Sequence, residues 1–96
     1  MIRVLGILVV VGVLVGCGEE IKIHTEKYDN GKVKIKGNLV DGKQEGKWVW
    51  YYEDGQISRE ENYKDGERDG KWVEYDEEGN ITSERCYEMG EEVDCP

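Results

Sequence analysis

Lys47-Trp48-Val49-Trp50-Tyr51-Tyr52-Glu53-Asp54-Gly55 returns 24 residues later as Lys71-Trp72-Val73-Glu74-Tyr75-Asp76-Glu77-Glu78-Gly79. Aromatic and β-branched side chains suit a pleated, half-buried surface. The acidic residues and glycine that follow mark a turn. The offset extends without a gap in both directions. Gly31, Gly55 and Gly79 share it, as do Gly42, Gly66 and Gly90, and Gly46 with Gly70. Apolar positions keep the register: Val33, Ile57 and Ile81, then Leu39, Tyr63 and Tyr87.

Each unit reads as two strands and two turns. One strand is aromatic, such as residues 47–52; the other alternates, as Val33, Ile35 and Leu39 do. Asp29-Asn30-Gly31, Glu53-Asp54-Gly55 and Glu77-Glu78-Gly79 supply one set of turns, and the glycines around 42, 66 and 90 the other. Glycine recurs throughout residues 31–90, and no 3.6-residue apolar stripe survives it. The expected fold is all-β: an elongated antiparallel meander of about six to seven strands, enough for an apolar face to hold. Residues 28–96 form the repeat domain, and residues 17–27 an N-terminal segment and first strand. Trp48 and Trp72 would cover one sheet face in a chain without phenylalanine.

Tyr63-x-x-Gly66-x-x-x-Gly70-Lys71-Trp72-x-x-Tyr75 resembles the variant MORN repeat of bacterial proteins, including the YwqK family of antitoxin-like proteins. The preceding unit, Leu39-x-x-Gly42-x-x-x-Gly46-Lys47-Trp48-x-x-Tyr51, departs only at Leu39, where tyrosine is usual. A third begins at Tyr87-x-x-Gly90 and then breaks off. The resemblance covers about residues 28–93. It implies a row of antiparallel hairpins in one twisted sheet.

Upstream, Arg3 and the apolar run Val4 to Val15 precede Leu14-Val15-Gly16-Cys17, which resembles the lipobox of bacterial lipoproteins. The run is shorter than the roughly 20 residues a transmembrane helix needs, and it ends in Glu19-Glu20 without a basic flank. The resemblance implies a signal peptide over residues 1–16, lipidation of Cys17 and a cell-envelope location. In a Gram-negative source, Gly18 after the cysteine makes the outer membrane the default. An uncleaved anchor and ordinary secretion are the alternatives.

Loss of residues 1–16 from the 96 leaves 80, with Arg3 the one charge removed, so −9 becomes −10. That size fits one small domain. So acidic a chain is repelled by phosphate backbones and anionic headgroups, which argues against a nucleic-acid partner. No cofactor or catalytic constellation is expected. His24, the single histidine, reads as a solvated strand residue, and the three cysteines lack zinc spacing. Glu60 and Glu61 fall on opposite sheet faces and are not a catalytic pair. No acidic cluster has the alternating pattern of a calcium loop.

The aromatic residues are the candidate surface. Trp50 stands where the next repeat has Glu74, so the fold does not require it. Trp48 and Trp50 share a face and would bind a protein or a glycan if exposed, or else pack the sheet; self-association through a face or edge is a third use. Three functions follow: a non-catalytic interaction protein, an antitoxin or immunity protein, or a lipid-binding module. Finally, if Tyr63 pairs with Gly70, Asn62 faces Lys71. The same register then sets Cys86 opposite Cys95, within disulfide reach in an oxidising envelope; the alternative is two unpaired thiols.

Overall fold

The computed structural model describes residues 19–96; the readings of residues 1–16, Cys17 and Gly18 lie outside them. β-favouring runs between glycine turns give only strands: β1 (Ile21–Lys27), β2 (Val33–Val40), β3 (Lys43–Tyr51), β4 (Ile57–Lys64), β5 (Glu67–Arg68), β6 (Gly70–Tyr75), β7 (Ile81–Glu88) and β8 (Glu91–Val93). They form one antiparallel sheet in the order β1-β2-β3-β4-β6-β7-β8, with β5 also on β4. This is the expected meander, with eight strands in place of six or seven. The extra strand arises because β3 has its counterpart, one repeat later, broken at Asp69 into β5 and β6. Among the described residues no helix is long and apolar enough to cross a membrane.

The sheet is a single layer, 55 × 36 × 15 Å. Among the described residues no second layer covers it, and side chains gain burial by lying flat on their own sheet. Trp48 and Tyr87 are each 5% exposed, and Val73 and Cys86 are also buried. The turns at one end pair two left-handed residues, Asp41-Gly42, Asp65-Gly66 and Met89-Gly90, with φ of 51 and 81, 51 and 84, and 49 and 87°. Two positive φ angles in succession match the twist of a tight hairpin. At the other end tyrosines tie repeat to repeat. Tyr28 Oη donates to Tyr51 O, and Tyr52 Oη to Tyr75 O, both at 2.6 Å.

The register differs from the sequence expectation at one recurring place. Arg59 faces Glu74 and Glu60 faces Val73, but Tyr63 faces Arg68, so the pairing slips by two residues. Gly70 pairs with Tyr87 on β7 and not with Tyr63. The cause is a bulge at Asp69-Gly70. Gly70 takes φ 104°, and Asp69 N donates to Asn62 O at 3.0 Å. A left-handed glycine in a bulge kinks the strand and strengthens its twist. The same slip follows Lys36 on β2, opposite Gly46 at φ 75°. At the C-terminal end Cys86 faces Val93, not Cys95. Cys95 nonetheless reaches disulfide distance, with the Cα atoms 5.2 Å apart. One repeat earlier Asn62 makes the same reach, its Nδ2 donating to Lys71 O at 2.8 Å.

Candidate functional site

Strand alternation sends Trp48 and Trp50 to one face and Val49 to the other. On the first face aromatic rings run in a ladder across the strands. His24 of β1 stacks on Trp48 of β3, with centroids 5.5 Å apart and planes at 26°. Trp48 meets Tyr63 of β4 edge-on at 6.4 Å, Tyr63 meets Trp72 of β6 at 5.6 Å, and Trp72 meets Tyr87 of β7 at 5.3 Å. Both tryptophans of the ladder are pinned by their indoles: Trp48 Nε1 donates to Asn38 O at 3.0 Å and Trp72 Nε1 to Asn62 O at 3.2 Å.

His24 is a part-exposed strand residue, as expected, and it also packs on the ladder. It lies 24 residues before Trp48 and takes the tryptophan position of the first repeat. Trp48 is not an exposed binding residue. It lies over Gly37, where any Cβ would overlap its ring. One repeat on, Gly37 is replaced by Glu61. Trp72 has no such bare backbone to settle on and stays half-buried.

Glu61 is the one buried charged residue among those described, at 2% exposure, on the face it shares with Trp48 and Trp72. A carboxylate there requires partners. Tyr63 Oη donates to Glu61 Oε1 at 2.6 Å. Arg59 Nε stands 2.8 Å from Glu61 Oε2, but its N–H does not point at the oxygen, so the contact is Coulombic without being a hydrogen bond. Burial first, then the hydrogen bond to Glu61 and its charge, pushes the Tyr63 hydroxyl up to about 12. Arginines cover the outer rings. The guanidinium of Arg59 lies 4.6 Å from the Trp50 centroid, and that of Arg68 lies 4.7 Å from Trp72 and 5.2 Å from Tyr87.

Trp50 is thus the half-exposed member of the candidate pair. It lies 6.2 Å from Trp48 and borders an open hollow with Arg59, Glu74, Asp76 and Thr82. The Asp76 carboxyl is held below the usual range, chiefly by the backbone N–H of Asn80 and also by that of Glu78. The opposite face carries Val73 and Cys86 among ion pairs, the part-buried Lys47–Glu60 at 3.6 Å and the exposed Lys71–Glu84 at 3.7 Å. Tyr75 Oη donates to Glu60 there at 2.8 Å, which raises the tyrosine's pKa. Glu60 and Glu61 do face opposite ways.

Sequence reasoning missed the place of His24 in the ladder, the Tyr28–Tyr52 pair and Glu61. For the first two the signal was present: the 24-residue offset relates Tyr28 to Tyr52 and continues upstream to His24. For Glu61 the hint was the change from glycine to a charge at one repeat position.

The MORN repeat variant family matches residues 22–41, 44–65 and 68–89. Those segments span about two thirds of the chain, which belongs to this family. The first segment contains β1, so β1 and β2 are themselves a repeat, followed by β3–β4 and then β5 to β7. No curated protein and no solved structure matches the chain.

Proposed function

We propose that this protein is a non-catalytic envelope lipoprotein that binds a protein partner on the aromatic face around Trp50. The observation that carries the reading is Trp50 itself. It is the one tryptophan of three that the repeat does not require, and it stays half-exposed under an arginine on the sheet face. Tryptophan and arginine dominate binding energy at protein interfaces. Glu74 and Asp76 border the same hollow and favour a partner with basic groups. Anchoring through Cys17 would hold this face outside a bilayer, and two or three acyl chains secure it. A toxin neutralised by direct binding, as the YwqK-like spacing suggests, is one such partner; its basic surface would suit the acidic chain.

Affinity purification of the tagged protein from intact envelopes, beside Trp50→Ala, tests the reading. A partner recovered with the wild type and lost with a folded Trp50→Ala protein supports it. Equal recovery with both places the interface elsewhere and overturns it, as does recovery of the protein alone.

A further inference from the structure

Among the described residues β1 has β2 on one side and no strand on the other. Glu20 N donates to Asp41 Oδ1 at 3.0 Å, and Glu20 O accepts from Asp41 N at 2.8 Å. The backbone groups of Lys22, His24 and Glu26 share that parity and turn toward β2. By the alternation of an antiparallel ladder, those of Ile21, Ile23 and Thr25 point outward. Ile21 and Ile23 are 66% and 67% exposed. An open edge with alternating apolar residues is a template for another strand.

We propose that β1 pairs antiparallel with β1 of a second copy, about a two-fold axis through His24. The register follows from parity and charge. Hydrogen bonds survive only where outward-facing residues meet outward-facing residues. A two-fold through Ile23 meets this condition but sets Glu20 opposite Glu26 twice. One through Thr25 sets Lys22 opposite Tyr28 and forms no lysine–carboxylate pair. One through His24 sets Lys22 opposite Glu26 twice, and Ile23 opposite Thr25 twice. Opposite charges across a strand pair stabilise it and like charges oppose it, while β-branched neighbours pack well on the pleat.

The charges on β1 that would ordinarily deter edge pairing are thus self-complementary in the register that overlaps Ile21–Lys27 of both copies end to end; a two-fold through Ile21 also sets Lys22 opposite Glu20 but pairs only the first half of the strand. Lys22 and Glu26 now make only exposed contacts: Lys22 with Glu20 at 3.7 Å, and Glu26 with His24 at 2.8 Å. In the pair, each Glu26 keeps His24 and gains a lysine from the second copy. The two aromatic ladders meet at His24, so both copies would continue one face. This pairing is independent of what binds around Trp50.

Two measurements on the full-length protein test it. In native membranes under mild oxidation, His24→Cys is expected to give a disulfide-linked dimer, and Ile23→Cys, which faces Thr25, is not. In detergent, Lys22→Glu and Glu26→Lys are each expected to weaken the dimer about tenfold by sedimentation, and the double swap to restore it within about twofold. A monomer at all concentrations, a double swap that fails to restore, or cross-linking of position 24 to a different protein would overturn the proposal.

Discussion

Trp48, Trp72 and Trp50 are one residue type in three settings, and their truncations should rank in that order. Trp48 is 5% exposed, donates to Asn38 O and touches His24, Trp50 and Tyr63. Trp48→Ala should cost about 3–5 kcal/mol, enough to leave so small a domain marginal. Trp72→Ala should cost less, and Trp50→Ala least, because Trp50 meets mainly Trp48 and Arg59. Denaturant melts of the three variants check the ranking; a Trp50→Ala loss equal to that of Trp48→Ala would contradict it. Tyr63 gives a second residue-scale expectation. Its pKa is raised, so the neutral hydroxyl belongs to the folded state. Its contribution is complete below the unfolded tyrosine value of about 10 and is lost as pH rises from there through about 12. In an absorbance titration Tyr63 should ionise near 12. Glu61→Gln should lower that value by removing the charge, yet leave it raised because burial is the larger cause.

At the scale of the element, the tight turns and bulges set the sheet's shape. Asp41 and Asp65 occupy left-handed positions that aspartate tolerates, whereas the third turn puts Met89 there at φ 49°. The left-handed region costs an ordinary residue about 1–2 kcal/mol, less for asparagine. Met89 is 80% exposed and holds no core position. Met89→Asn should therefore stabilise the domain by about 0.5–1 kcal/mol, read as an upward shift in the denaturation midpoint; an unchanged or lower midpoint would contradict it. β8 is a short edge strand, three residues long and exposed along its length. A Cys86–Cys95 bond would close a short loop behind it and contribute about 2–3 kcal/mol on the chain-entropy model. Thiol labelling of the unfolded, non-reduced protein should find neither cysteine reactive. Two reactive thiols would rule the bond out.

Over the whole molecule the charge is uneven. Residues 19–51 carry seven lysines against six carboxylates, while residues 52–96 carry five basic groups against sixteen acidic ones. The sheet order turns this into a gradient from a near-neutral end at β1 to a strongly acidic end at β8. Under the proposed anchoring, the chain meets the bilayer beside its near-neutral end. The acidic end then faces away from anionic headgroups, which would repel it. Intact-mass measurement should find a mature chain beginning at Cys17 with a diacylglyceryl thioether, and Cys17→Ser should abolish the modification. An intact Met1 or an unmodified Cys17 would contradict the anchor.

The repeat, the antiparallel meander and the turn positions were legible in the sequence because they are local. A 24-residue offset, glycine at left-handed positions and alternation along a strand need no knowledge of distant residues. The shared face of Trp48 and Trp50 followed from the same alternation. The bulges at Gly46 and Gly70 did not, since a positive φ on one strand moves the partner register without altering any local pattern. At the C-terminal end, too, Cys86 faces Val93 and yet lies within reach of Cys95. Which tryptophan is buried was also tertiary. It depends on Gly37 beneath Trp48 and on Glu61 in the matching place of the next repeat, and these neighbours meet only when separate strands lie side by side.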